Sequence, residues 1–270
     1  MSHSRARPPS ARRTARSPAR RNALVTGAGR RIGLAIARAL AADGWGVAVH
    51  YHGSGQGAAA LVRSITRAGG RAIALKADLS RESHAQALVG RAAAALGPLT
   101  CLVNNAAVFE DDTVASATRA SWDAHIEINL RAPLVLTQGF ARQLPRGQHG
   151  NVINLLDQRV YNLTPHFLSY TVSKMGLWTL TRTLALGLAP RIRVNAVGPG
   201  PALPSRRQTA AQFARQCARM PLRRGTTPEE IADAVRFILN TPAMTGQMIA
   251  LDGGQHLGWA QPGESLLPDE

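Results

Sequence analysis

Cysteine and lysine are the first things missing. Of 270 residues only Cys101 and Cys217 are cysteines, too few for a disulfide framework and at no metal-ligand spacing. The chain therefore reads as a protein of a reducing compartment, by default the cytoplasm, held by a packed core and with no metal site expected. Lysine fills two of the 32 basic positions, Lys76 and Lys174, and arginine fills the rest. That skew looks like a GC-rich coding bias, which marks each surviving lysine as a position where an ammonium is wanted. Acids are scarce too, 16 in all, leaving a formal charge of +16. Such a surplus is one mark of nucleic-acid binding. Yet seven arginines (Arg5, Arg7, Arg12, Arg13, Arg16, Arg20 and Arg21) crowd into residues 1–21 with no acid among them, so nucleic acid is not an expected partner of the rest. No run approaches the roughly 18 apolar residues of a transmembrane helix, and no membrane association is expected.

What is present suffices for one α/β domain. Hydrophobic residues make up 45% of the chain, ordinary for a globular protein. Residues 1–21, rich in Arg, Ser, Pro and Ala without a hydrophobic period, read as a disordered arm. An inert extension, a basic tail touching polyanions and a transit peptide all remain open for it. Residues 22–258 form the domain, and 259–270 read as a tail. A short apolar run, Ala23 to Thr26, leads into glycines and then an apolar helical period through Ile32, Ala35, Ile36, Ala39 and Leu40. Further strands are expected from Val47 and at 71–75, 99–103, 151–156, 191–197 and 247–251. Helices are expected at 57–68, 81–95, 118–143 with a bend at Pro133, 168–188 and 228–239, and a Pro/Gly-rich loop from 198. This alternation specifies a single-domain doubly wound parallel sheet, a Rossmann fold, with helices on both faces.

The first strand–helix turn is Thr26-Gly27-Ala28-Gly29-Arg30-Arg31-Ile32-Gly33. Glycines there let the backbone approach a pyrophosphate at a helix N-terminus, where free N–H groups and the dipole favour anions. A purely structural turn would look similar; its place as the first such turn strengthens the nucleotide reading. Chains that bind NAD carry an acid about 20 residues on, for the ribose 2′-hydroxyl. Here the second strand ends in His50-Tyr51-His52-Gly53-Ser54, and no Asp or Glu lies between Asp43 and Asp78. Arg30, Arg31, His52 and Ser54 are placed to bond a 2′-phosphate instead, so NADPH is the expected cofactor. Asp78, followed by Leu79, either accepts from the adenine edge or caps the next helix. Asn104-Asn105-Ala106 ends the fourth strand at the sheet's carboxyl edge, where ligands of such folds sit.

Ser169-Tyr170-Thr171-Val172-Ser173-Lys174 carries the chemistry. Residues i and i+4 share a helix face, so the Tyr170 phenol and the Lys174 ammonium can enter one cleft. A phenol titrates near 10, and a neighbouring ammonium lowers that toward the working range. An ordinary surface pair has the same spacing. Against it stands the rarity of lysine in this chain and the position just after a buried-type strand.

Taken in order along residues 22–258, the glycine turn, Asn104-Asn105-Ala106, Asn129 in Ile128-Asn129-Leu130, Tyr170/Lys174 and Pro199-Gly200 resemble the short-chain dehydrogenase/reductase family. The resemblance implies Tyr170 as proton donor, Lys174 as holder of the nicotinamide ribose and tuner of Tyr170, and Asn129 as anchor of a water relay. It implies Gly27, Ile32, Gly33, Asn105, Ala106, Pro199 and Gly200 around the cofactor, and a homotetramer built on helices 118–143 and 168–188. One departure is telling. Thirteen residues before the tyrosine, where the family usually has serine, this chain has Asp157. A carboxylate repels a developing alkoxide, whereas a carboxyl in a desolvated pocket can donate or relay a proton. That favours a C=N acceptor, whose nitrogen needs a proton as carbon takes hydride.

Pteridine and dihydromonapterin reductases are similar in this respect. The likeness extends to Arg31 in the glycine turn, the His-Tyr-His run at 50–52, and Phe109, four residues past Asn105, as the ring that stacks on a pterin; core packing is the other reading of Phe109. Gly53, Ala107 and Pro201-Ala202-Leu203-Pro204 depart from the pattern. Arg159, Tyr161 and the loop 201–224 with Arg206, Arg207 and Phe213 are expected to form a substrate lid, Asp252-Gly253-Gly254 a turn, and Trp259 a contact with a neighbour's pocket. The expected function is NADPH-dependent reduction of a dihydropterin-type C=N bond. A carbonyl or 3-oxoacyl reductase is the alternative, and a dinucleotide-sensing protein with a nucleic-acid-contacting arm is a third reading that leaves Tyr170, Lys174 and Asn129 without a purpose.

Overall fold

Strand residues alternate between two apolar layers, and that alternation sets the architecture. Ala23 and Val25, Val47 and Val49, Cys101 and Val103, and Ile153 and Leu155 pack on one face; Leu24, Ala48, Leu102 and Val152 pack on the other. Successive strand side chains point to opposite faces, so both faces need a helical cover. The strands are β1 (Asn22–Val25), β2 (Gly46–Tyr51), β3 (Ala72–Lys76), β4 (Cys101–Asn104), β5 (Gly150–Leu155), β6 (Ile192–Pro199) and β7 (Met248–Leu251). They pair in parallel in the order β3-β2-β1-β4-β5-β6-β7. Helices α1 (Arg31–Ala42), α2 (Gly55–Arg67) and α8 (Pro228–Asn240) bury Ile36, Ala58 and Ile231 against the first face. Helices α3 (Glu82–Leu96), α5 (Ala132–Gln143) and α6 (Leu168–Leu188) bury Leu88, Val135 and Ala185 against the second. Strand order reverses between β1 and β4, and a crevice opens at the carboxyl ends of strands at such a switch point.

The computed structural model describes residues 21–258; expectations for the arm before Arg21 and for the tail with Trp259 lie outside them. Arg21, assigned above to the arm, belongs to the fold. Its guanidinium donates to the Asp43 carbonyl at 2.7 Å and lies 5.0 Å over the Trp45 ring. No described helix is long and apolar enough to cross a membrane.

Two expectations need correction. Residues 119–143 are not a helix bent at Pro133 but α4 (Arg119–Ile126), a π turn at Glu127–Arg131 and α5 in continuous succession. Pro133 has no N–H to give the carbonyl of Asn129 four residues back, and the helix widens to the π turn just before it. The stretch 201–224 is not wholly loop either, since it contains α7 (Ala210–Ala218), opened by a capping box between Thr209 and Gln212. That Thr-x-x-Gln signal is legible in the sequence.

Candidate functional site

The turn after β1 is shaped by its neighbours. Gly27 has φ +64, and its N–H donates to His50 Nδ1 at 3.1 Å. His50 Nε2 then faces the Ala77 carbonyl at 3.3 Å, so the ring is neutral with its proton on Nε2. Burial pushes its pKa down to about 4. The Thr26 hydroxyl accepts the N–H groups of Asn105 (2.9 Å) and Ala106 (3.0 Å), and the Asn105 amide donates to the Thr26 carbonyl at 2.8 Å. The turn after β1 and the turn after β4 are thereby one hydrogen-bonded unit. A Cβ on Gly29 would collide with Ser54, and one on Gly33 would lie 2.5 Å from Asn105 Nδ2. Backbone therefore stays bare where α1 begins.

Around that cradle the expected contacts separate. Arg30 is exposed at the N-cap of α1. Arg31, with φ +53, reaches the other way and donates to the carbonyls of Pro204 (3.0 Å) and Leu203 (3.3 Å). His52 is exposed, 3.9 Å from Asp78, and Ser54 precedes α2. Asp78 does not cap α3, whose N-cap position is Arg81. It accepts from the Ser80 hydroxyl (2.7 Å) and N–H (3.0 Å), which hold its pKa low. The Leu79 side chain is buried in the core, so only its backbone is left for a ligand. Ile32 packs half-buried against the other core. Pro199 ends β6, and a Cβ on Gly200 would meet the Asp252 backbone at 2.7 Å.

At the reacting end Tyr170 Oη donates to Asp157 Oδ2 at 2.8 Å, while Asp157 Oδ1 accepts the Arg159 N–H at 2.8 Å. Asp157 thus faces the phenol. Lys174 is buried and donates to the Leu155 carbonyl at 2.7 Å, with its ammonium 5.7 Å from the Tyr170 ring centre. Burial pulls the Lys174 pKa down to about 8, against the opposing pull of Asp157. The Asn129 side chain is fully occupied. It accepts from Val108 N–H (2.8 Å) and donates to the Val108 carbonyl (2.9 Å) and to Ser173 Oγ (3.0 Å). It therefore fixes the segment after β4 against α6, and the carbonyl that Pro133 cannot serve is its remaining polar group.

Phe109 lies 4.7 Å from the Tyr170 ring, edge to face, and stacks at 4.5 Å and 3° on Phe167. Phe109 thus borders the phenol and packs on a buried ring. Phe167, which sequence reasoning missed, opens α6 in a left-handed conformation (φ +57) with no side-chain cap of its own. The cap comes from elsewhere in the chain. Asp111 Oδ1 accepts the Phe167 N–H (3.0 Å), the Asp112 carbonyl accepts from Leu168 (2.9 Å), and Asp112 Oδ1 accepts from Ser169 (2.9 Å). Asp112 Oδ2 also takes the Ser169 hydroxyl at 2.5 Å, and His125 Nδ1 lies 2.7 Å from Ser169 Oγ. Burial lowers the His125 pKa. Asp, Ser and His here are no hydrolytic triad, because Ser169 is wholly buried and bonds the carboxylate directly. Arg207 joins this side too, pairing with Glu110 at 2.6 Å and lying 5.5 Å from both phenyl rings. Tyr161 packs instead on His256, 5.6 Å away.

A parallel sheet with a bare glycine turn at the switch point and a Tyr–Lys pair beside it defines an oxidoreductase of the dinucleotide-binding kind. Comparison with known proteins specifies the class. Residues 27–256 match the family model described as enoyl-(acyl carrier protein) reductase. The chain belongs to the short-chain dehydrogenase/reductase family. It is 38% identical over 240 residues to an uncharacterized oxidoreductase of Methylorubrum extorquens, covering 86% of this chain and 96% of the relative. It is 35% identical over 237 residues to a 3-oxoacyl-[acyl-carrier-protein] reductase of Synechocystis, covering 86% and 95%. Among solved structures it resembles FolM alternative dihydrofolate reductase 1 from Brucella canis, complexed with NADP, with 46% identity, a TM-score of 0.87, and coverage of 91% and 97% of the two chains.

Proposed function

We propose that this chain is an NADPH-dependent reductase of a dihydropterin-type C=N substrate. The observation that carries the reading is the 2.8 Å hydrogen bond from Tyr170 to Asp157, which sets a carboxylate where an alkoxide would otherwise develop. The residues fit the cofactor. Gly29 and Gly33 lie where any side chain would strike Ser54 or Asn105, and no acid stands at the end of β2. Gly27, Gly29, Gly33, Asn105 and Ala106 would take its backbone-facing side, and Arg30, His52 and Ser54 its adenosine phosphate. When bound, NADPH supplies the hydride.

Everything else falls to the chain. Tyr170 and Asp157 share one mobile proton, and the phenol presents it to the substrate nitrogen. Lys174, charged and anchored on Leu155, keeps the phenol from drifting and stabilises its anion once the proton has left. Phe109 offers its edge-on position beside Tyr170 as a wall for a flat heterocycle, and Asn129 fixes the segment bearing it. The similarity to FolM supports the substrate class.

A reductase of 3-oxoacyl substrates is the second reading, favoured by the identity to the Synechocystis protein. NADPH oxidation measured in parallel against dihydropterins, dihydrofolate and 3-oxoacyl thioesters decides between them. Turnover of the thioesters above that of every pterin retires the first reading. On the first reading, Asp157→Ser should move the pterin-to-ketone ratio toward ketones by at least about tenfold, the effect of about 1.4 kcal/mol at the barrier.

A further inference from the structure

Phe109 stands edge to face against the Tyr170 ring, and the chain on either side of it is tied to one helical segment. Before it, Val108 gives its N–H to Asn129 Oδ1 at 2.8 Å, and its carbonyl takes the Asn129 amide at 2.9 Å. After it, Glu110 gives its N–H to His125 Nε2 at 3.2 Å. His125 lies in the last turn of α4 and Asn129 in the π turn that follows, a widening of the kind that recurs at functional sites. The His125 side chain is wholly buried. Its Nδ1 lies 2.9 Å from the Ser121 carbonyl, which can only accept, and 2.7 Å from Ser169 Oγ, whose own proton goes to Asp112. The ring proton therefore sits on Nδ1, and Nε2 is the acceptor that Glu110 uses.

We infer that His125 is a positioning residue for the substrate wall: as a neutral ring it holds Glu110, and with it the adjoining Phe109, in place beside Tyr170. The inference rests on the reading of Phe109 as a wall for a flat heterocycle. A second proton on the imidazole turns Nε2 into a donor aimed at the Glu110 N–H, so the bond is lost while the tie at Val108 remains. Burial opposes that proton, as does the Lys174 ammonium on α6, and together they outweigh the pull of Asp112 and Glu110 on the β4 side. Tyr170, 5.9 Å away ring to ring, faces it as a neutral phenol, and the Glu110 carboxylate is held by Arg207 at 2.6 Å. Release therefore comes below the ordinary histidine value of about 6.5. A displaced wall weakens ground state and transition state alike, so it raises the substrate KM and spares kcat.

Two substitutions divide the imidazole into its halves. His125→Gln keeps an acceptor near the Nε2 position and cannot titrate, whereas His125→Asn keeps a donor near the Nδ1 position and leaves the Glu110 N–H unmet. Steady-state kinetics with NADPH and dihydrofolate, from about pH 8 down to about pH 4.5, give both KM values and kcat. Hydrogen exchange reads the Glu110 amide without turnover. At pH 8 His125→Asn should raise the dihydrofolate KM about tenfold, the scale of one lost hydrogen bond, and speed exchange of the Glu110 amide by a similar factor. Cofactor KM and kcat should stay within about twofold, and His125→Gln should match the unmodified protein. In acid the unmodified protein's dihydrofolate KM should climb by about that same factor, and His125→Gln should not share the climb. Superimposable acid limbs for these two proteins, or an unaltered dihydrofolate KM in His125→Asn, overturn the inference. So do equal rises of both KM values in both variants with equal losses of melting temperature, which assign His125 a structural role alone. If a 3-oxoacyl thioester is reduced and dihydrofolate is not, the substrate reading has failed instead. Exchange at Glu110 then decides for His125: faster in the Asn variant alone supports the tie, and equal exchange in the two variants overturns it.

Discussion

Two constellations share the carboxyl edge of the sheet and are built in opposite ways. The dinucleotide end is backbone kept bare: Gly27, Gly29 and Gly33 fall within eight residues, and Thr26 and His50 hold the turn through main-chain groups. The reacting end is side chain held by side chain. Tyr170 meets Asp157 from the β5 loop and Phe109 from the β4 loop, Phe109 stacks on Phe167 at the start of α6, and that start is capped by Asp111 and Asp112, more than fifty residues upstream. A device of bare backbone fails when it is filled. One built of side chains fails when any tie is cut.

Cutting the central tie should give the largest effect. Tyr170→Phe removes the proton while keeping the ring contact with Phe109, so kcat is expected to fall by about 10²–10⁴-fold with NADPH affinity nearly unchanged. Steady-state kinetics beside equilibrium cofactor binding checks this. A parallel loss of affinity would mean that the two ends are not separable.

Asp112→Ala should come next. It strips partners from the Ser169 N–H and hydroxyl and from Ser121 Oγ, all bonded to one buried carboxylate. Leaving such donors unsatisfied costs about 3 kcal/mol, read as urea midpoint, and kcat should fall more than the cofactor KM rises. Asp112→Asn, which keeps an acceptor for the Ser169 N–H, should recover part of both.

This asymmetry explains what the sequence makes legible. Strand order, helix positions and the glycine turn follow from periodicity and from punctuation a few residues long. Tyr170 and Lys174 are readable because their spacing is fixed on one helix, and Asp157 through the family resemblance, as the residue thirteen places before the tyrosine. Phe167, His125 and the Asp111–Asp112 cap are not, since each has meaning only through a partner forty or more residues away. His50 is visible only as part of the His-Tyr-His run; that the fold turns it inward onto Gly27 depends on a partner 23 residues away. The contact of Arg31 with the carbonyls of Leu203 and Pro204 is equally beyond any local pattern.

His50 offers a way to test the dinucleotide end by pH alone. Its folded pKa of about 4 lies below the value of about 6.5 in the unfolded chain. The unfolded state therefore takes up the proton first, so this contribution is complete above about pH 6.5, is lost as pH falls toward 4, and is flat below. The full difference is at most about 3 kcal/mol. Carboxylates add their own acid dependence, so the readout is the difference from His50→Gln, which offers an acceptor to Gly27 and a donor to Ala77 without titrating. Identical pH slopes for the two proteins would show that His50 does not hold the turn as a neutral ring.

The smallest expected effect separates a filled cradle from an empty surface. Gly29→Ala drives a methyl group into Ser54, both side chain and carbonyl, and a Cβ on Gly57 would likewise strike the Gly29 carbonyl. Overpacking of this kind costs about 1–3 kcal/mol, and displacing the α2 start should weaken dinucleotide binding while leaving the Tyr170–Asp157 contact intact. Gly53→Ala, in the same region, meets nothing within 4 Å and needs no left-handed backbone. It should change stability by no more than about 0.5 kcal/mol. If Gly29→Ala binds cofactor as well as Gly53→Ala does, closeness of backbone at α1 is not what the dinucleotide end depends on, and the contrast between the two constellations loses its bare-backbone half.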